Sequence, residues 1–436
     1  MATRLALLTM LVLTMCVVHG HEVLDSGVVR VQIPSRICDP RDHGARADGI
    51  NDDTIAIQAA LDECGLAGGT VILKCLSPNP CTFFSFPLKI TGNNTELRIE
   101  DNATLGFSSA RNDSRWLGVA AALYGSNVHN IAVTGGGTID GNGSLWWTQC
   151  AGHSLNSSGW STCGRPGLFT LNPVENVLIS GPRFLNSPCH NIVIRHSRNV
   201  EIGHVRVEAP PSYDQMGQSN NTDGIDVDGT YLYIHDSYIS VGDDLVVLGS
   251  NHTLVERIRF GSGRGASIAP GCGDDRRAWL TNITVRDCSF NRTSRGIRIK
   301  TSANSTTGPG CHGGISNVIY RNLAMFDVNT TISVVMHYPC ADVRPGPECW
   351  PAFNSTSMSL DVAIENVTSL RSGWPAVIDG PSSGVGDREA RLRMRMEDVR
   401  VSSAHNWVCW GEVDASPVNV TPHLSTDCQF GSADSM

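Results

Sequence analysis

The sequence predicts an all-β fold, a parallel β-solenoid closed at its N-terminal end by a short helix. Three observations carry this reading. Short Val- and Ile-rich runs recur from about residue 127 onward, each opened by a polar residue and closed by a polar turn. No long amphipathic helix separates them, which argues against β/α barrels and doubly wound sheets, where a helix follows each strand. The 44 glycines and 21 prolines among 436 residues supply turns without a Gly-x-y period, so a collagen-like chain is excluded. A sandwich or propeller would also give many short strands. The Asn-Val-x-Ile punctuation and the irregular insertions favour one stack of coils, each burying its apolar residues on its neighbours.

Taken in order, the first element is a helix. Ile55-Ala56-Ile57-Gln58-Ala59-Ala60-Leu61 is apolar at helical spacing, with Asp52 and Asp53 at its start and Gly65 past its end. Residues 52–64 are therefore expected as an amphipathic helix, placed to close one end of the stack. Gly68-Gly69 then reads as a turn into a strand over Thr70-Val71-Ile72-Leu73. Later strands, three to five residues long, are expected after Asn127, Asn176, Asn199, Asn282 and Asn317, and from Val362.

Residues 1–20 read as a secretory signal peptide: Arg4, an uncharged apolar run from Leu5 to Val18, then His19-Gly20. The run is too short for a membrane span, so a soluble, secreted, monomeric chain of residues 21–436 in one domain is expected. Of 15 cysteines Cys16 lies in the leader; the remaining even number suits a disulfide framework. The absence of any Cys-x-x-Cys pair argues against a cysteine metal site, and no metal or other cofactor is expected. Fourteen Asn-x-Ser/Thr sequons, from Asn93 to Asn419, agree with a secretory route. The net charge of −9 disfavours nucleic acid as a partner.

Several motifs follow one another in a fixed order. They are Asp42-His43-Gly44 through Leu73, Thr134-Gly135-Gly136-Gly137-Thr138-Ile139-Asp140-Gly141 with Trp146-Trp147, Asn221-Thr222-Asp223-Gly224, Gly242-Asp243-Asp244, and Arg298-Ile299-Lys300. The series resembles the polygalacturonases, glycoside hydrolase family 28, over roughly residues 40–380. The resemblance implies a single-stranded right-handed parallel β-helix and hydrolysis of α-1,4 galacturonan links in pectin, an acidic polysaccharide.

Hydrolysing a glycosidic bond needs one carboxyl to protonate the leaving oxygen and another to activate water or attack carbon. Asp223 and Asp243 lie about one coil apart, and Asp244 adds a third carboxylate. Both Asp243 and Asp244 face one cleft only if a bulge or strand end lies there, because successive strand residues point to opposite faces. Three clustered carboxylates repel, so one keeps its proton at mildly acidic pH. The resemblance implies Asp243 as the acid, with Asp223 and Asp244 holding the attacking water for inversion.

Arg298 and Lys300 alternate about Ile299 and so share a face; of 33 basic residues only Lys74, Lys89 and Lys300 are lysines. They match the family's substrate-binding pair. Asn221 is expected to orient Asp223 or substrate, Tyr338 to pack on sugar, and Asp226 and Asp228 to be structural. The family's Gly-His-Gly motif reads Gly263-Arg264-Gly265 here, so Arg264 stands where an imidazole is expected. Arginine is no proton shuttle, but it pairs with carboxylates. That departure leaves open another pectic chain (rhamnogalacturonan or xylogalacturonan) or a non-catalytic pectin-binding protein. A pectate lyase fits the Asp series less well. Asn220, itself a sequon, is expected to carry no glycan.

Overall fold

Parallel pairing between coils generates the whole architecture. The computed structural model describes residues 29, 31–150, 164–211, 219–271, 275–301, 311–338, 356–381, 390–423 and 429–430; the expected leader, residues 1–20, lies outside them. Strands inside the stack pair in parallel with strands one coil before and one coil after, giving a right-handed parallel β-helix. The expected fold class is therefore the observed one.

Register makes the core. Leu97, Val133, Ile179, Ile202, Ile234, Val255, Val285, Tyr320, Ile364 and Met396 are successive partners. All of them are buried. A second inward row runs Ile192, Ile225, Val246, Ala266, Ile297, Ile332 and Ala376. Residues between these positions point outward, because strand side chains alternate.

The Asn punctuation marks the corners. Asn94, Asn130, Asn176 and Asn199 all take positive φ, from 53° to 57°, a left-handed conformation that Asn tolerates better than most residues. Their amides form a ladder: Asn130 Nδ2 donates to Asn94 Oδ1 (2.7 Å), Asn176 to Asn130 (3.0 Å) and Asn199 to Asn176 (2.9 Å). The next two rungs are Tyr231 and His252, whose rings stack at 5.0 Å with φ of 61° and 55°. Asn282 then resumes the ladder on His252 Nδ1 (3.2 Å).

The expected helix spans Thr54–Ala67 rather than 52–64, with Gly65 inside it. Asp53 does not cap it; its carboxylate accepts the N–H groups of Arg46 (2.7 Å) and Ala47 (3.0 Å) and ties down the preceding loop. The helix buries Ile57, Ala60 and Leu61 against the first coil, and a Cys38–Cys64 disulfide fastens it there. The expected strand runs Gly69–Leu73. A second helix, Ser144–Cys150, holds the Trp146-Trp147 pair, which sequence reading left as a motif without an element. Cys75 pairs with Cys81 and Cys409 is also disulfide-bonded, but Cys189 and Cys288 are buried free thiols. The even cysteine count therefore does not mean full pairing: these two serve as small apolar core residues. No described helix is long and apolar enough to cross a membrane.

Replacing Asn176 by Ala removes two ladder hydrogen bonds and forces Ala to φ near 57°. We expect a loss of about 1–3 kcal/mol in chemical unfolding, with Asn176→Gly losing less because Gly tolerates that φ. Equal losses for the two variants would show that strain contributes nothing.

Candidate active site

Side chains of charge and hydrogen-bonding capacity collect on one outward face of the stack. There Asp226, Val247, Ser267, Arg298 and Ser333 are partners in register, on strands Ile225–His235, Val246–Glu256, Ala266–Ile268, Arg295–Lys300 and Thr330–Val335. Asp223 lies two residues before the first of these strands. Asp243 and Asp244 sit in the bend between Tyr238–Ser240 and Val246–Glu256, so the strand end that both aspartates need is present. Backbone pairing continues through the bends: Asn191 N–H donates to Asp223 O (2.8 Å) and Gly224 N–H to Asp244 O (2.9 Å). One carboxylate oxygen of each of Asp223, Asp243 and Asp244 lies within 4.8 Å of the others.

Gly242 acts sterically rather than through an unusual φ. A Cβ there would stand 2.2 Å from Ser219 Oγ and 2.4 Å from Ser219 O, so only glycine lets the Asp bend lie against the preceding coil.

Each carboxylate has a different environment. Asp244 is 1% exposed and accepts from Ser267 Oγ (3.0 Å) and Lys300 Nζ (2.5 Å), and from the fully buried Arg298 guanidinium. Burial opposes its charge, but the Arg298 and Lys300 cations win and hold this carboxyl far below the usual range. Asp243 accepts the Asn221 N–H at Oδ2 (3.1 Å) and the Asp244 N–H at Oδ1 (3.0 Å), with Arg264 Nε 3.5 Å from Oδ1. Among the described residues Asp223 Oδ1 accepts no hydrogen bond. Burial, reinforced by the charges of Asp226, Asp243 and Asp244, pushes the Asp223 carboxyl well above the usual range. Burial and crowding thus push Asp223 towards its protonated form, while Asp244 is held ionised.

The remaining expected residues also converge. Tyr338 lies over the cations, its ring centre 5.2 Å from Lys300 Nζ and 5.8 Å from Arg298 Cζ. Asn221 serves Asp243 through its backbone rather than Asp223 through its amide, at φ 60°. Arg264 donates towards Asn220 Oδ1 (3.5 Å) at the exposed rim. Arg298 and Lys300, expected to face substrate, have Asp244 as a partner.

Four residues escaped sequence reading. Asp226, expected to be structural, is buried beside the trio, with its carboxyl raised by burial. Ser267 completes the Asp244 shell. Arg165 bridges Pro188 O (3.0 Å) and Asn220 O (2.8 Å) across two coils. His190 Nε2 lies 3.7 Å from Asp223 Oδ1. Only Ser267 carried a signal, standing two residues after the Gly263-Arg264-Gly265 motif.

The chain is similar to known proteins of one family. The family model described as glycosyl hydrolases family 28 matches residues 82–409. "Polygalacturonase QRT2" of Arabidopsis thaliana is 30% identical over 76% of this chain and 73% of its own length. "Exopolygalacturonase" of Zea mays is 28% identical over 84% and 85%. Among solved structures, a polygalacturonase of Erwinia carotovora is similar in fold, with a TM-score of 0.69 at 23% identity over 90% of this chain and 100% of that one.

The opposed shifts make a stability prediction with a definite sign. A raised carboxyl is best tolerated while protonated, so Asp223 costs stability as pH rises through its folded-state pKa. Asp223→Asn should melt higher than the parent at neutral pH, by about 2–4 °C for each kcal/mol relieved, with the gap closing in acid. Lys300→Met, which weakens the hold on ionised Asp244, should melt lower above the usual carboxylate range. Thermal melts between pH 3 and 8 check both; an Asp223→Asn gap independent of pH would contradict the assignment.

Proposed function

The chain belongs to glycosyl hydrolases family 28, and on that premise we propose that it hydrolyses the α-1,4 bonds between galacturonic acid units of pectin. The observation that carries this reading is a buried cluster in which one oxygen each of Asp223, Asp243 and Asp244 lies within 4.8 Å of the others, with Asp244 held by Arg298 and Lys300. A proton donor and a base side by side are what glycoside hydrolysis requires.

Asp243 is the general acid: on substrate binding the Asp223 proton passes to it, and from it to the leaving oxygen as the C–O bond breaks. Asp223, now ionised, and Asp244 hold the water, which adds to the anomeric carbon and gives its proton to Asp223. That restores the resting state, with protons and charge balanced.

The carboxylate oxygens lie within 4.8 Å, closer than the ~6.5–9.5 Å common in inverting enzymes. Inversion is nevertheless the reading. It follows the family resemblance: Asp244, with both oxygens engaged by Ser267, Arg298 and Lys300, is held to orient water rather than to attack, and the bare oxygen of Asp223 is assigned to that water. Lys300, Arg298 and Tyr338 are assigned to the sugar carboxylate, supported by Asn221 and Arg264 at the rim. A local cation cluster suits a polyanion even on a chain of net charge −9. Residues 1–20 are assigned as a cleaved leader, and residues 21–436 as one secreted, monomeric catalytic domain acting on cell-wall pectin.

Asp243→Asn should lower reducing-end release from polygalacturonate by at least about a hundredfold, with the circular dichroism spectrum unchanged; near-parental turnover would remove Asp243 from the mechanism. NMR of the first anomer formed should show inversion, and a retained anomer would assign one carboxylate as a nucleophile instead. The same assay on xylogalacturonan and rhamnogalacturonan should give slower release, and faster release on either would reassign the substrate.

A further inference from the structure

Arg264 leaves the trio without the imidazole that the family motif supplies, yet another imidazole approaches one of its carboxylates, Asp223, from a different coil. His190 lies just before strand Ile192–Gly203. Its Nε2 is 3.7 Å from Asp223 Oδ1, the oxygen that accepts no hydrogen bond. One oxygen of Asp226 lies within 4.8 Å of both, and Asp226 Oδ1 also lacks a hydrogen-bond partner. The His190 side chain is 29% exposed, so it borders the open side of the site.

The segment that carries His190 is held from several directions. Trp147 Nε1 donates to Ser187 O (2.9 Å), Arg165 Nη1 to Pro188 O (3.0 Å) and Ser187 Oγ to His190 O (2.8 Å). Asn191 Nδ2 donates to Thr222 O (3.1 Å) and Asp223 O (3.2 Å). This much anchoring around a partly open histidine is the supporting shell that a positioned functional group needs. A surface histidine with no role requires none of it.

We propose that His190 is a positioning residue of the catalytic centre: its Nε2, 3.7 Å from Asp223 Oδ1 in the free protein, closes to donate to that oxygen when Asp223 ionises and so holds the carboxylate towards the attacking water. It supplies from the preceding coil the imidazole that is absent at position 264. The neutral Nε2–H tautomer suffices, because the hydrogen bond needs a donor and not a charge. Asp223 must lose its proton to act as a base, and a donor at its bare oxygen favours the ionised form. Arg264, paired with Asp243, leaves this task to His190. The inference rests on the reading of Asp223 as a water-activating carboxylate.

His190→Ala should lower kcat on polygalacturonate by at least about tenfold while KM stays within about twofold. Added imidazole should recover part of the loss, and so should Arg264→His introduced into His190→Ala. A purely structural role would move neither rescue. Unchanged kcat in His190→Ala, or a loss that neither imidazole nor Arg264→His relieves, overturns the proposal. A second measurement stands apart from turnover. The ring ¹⁵N signals of His190 should differ between the parent and Asp223→Asn across the pH titration. Identical signals overturn the proposal whether or not the chain cleaves polygalacturonate, so its failure is distinguishable from failure of the substrate assignment.

Discussion

Parallel register between coils is the constraint on which the rest depends. A residue's place within its coil decides which distant residues it meets, because each strand is hydrogen-bonded to its counterpart one coil on. Pairing of Ile225 with Val246 is what brings Asp223 beside Asp243 and Asp244, and pairing of Ser267 with Arg298 is what lets both reach Asp244. No loop has to close over the trio to assemble it. The same register stacks the aliphatic rows inside, so core and site are two faces of one arrangement.

Charge crowding on that face is an energetic cost that the stack sustains. Asp223, Asp226, Asp243 and Asp244 are all buried, and two cations, Arg298 and Lys300, are buried with them. Removing such charges from water is expensive even when they pair. The distribution is uneven: Asp244 receives both cations, Asp243 receives backbone N–H groups and Arg264, and Asp223 is left with a bare oxygen. That asymmetry separates the proton affinities of chemically identical side chains, which three evenly solvated aspartates would not achieve.

Much of this was legible in the sequence, for identifiable reasons. The Asn-Val-x-Ile punctuation revealed the coils because left-handed corners favour Asn and the following positions alternate. The Asp223, Asp243-Asp244 and Arg298-Lys300 motifs kept their spacing because register fixes it. What escaped notice depended on contacts that no local pattern encodes. Tyr231 and His252 occupy left-handed corners with no Asn to mark them. Arg165 and His190 approach from coils whose variable insertions hide their register, and Asp226 looked like an ordinary strand residue. The helix began two residues late because Asp53 is occupied by Arg46 and Ala47 instead of its own first turn. Gly242 stood in the motif with no local pattern to give its reason, which is close packing against Ser219.

The spread of the site over successive coils bears on how such a chain can change in length over evolution. A duplicated or deleted coil above Asn191 or below Tyr338 leaves every partner in the site where it was, apart from the Arg165 and Trp147 supports. Within that interval one extra coil would move two facing groups apart by about 4.8 Å, the distance between neighbouring strands, and separate Asp223 from Asp243 or Asp244 from Lys300. Lineages carrying this chemistry are thus free to grow or shrink at their ends while their middle is held to a fixed number of turns.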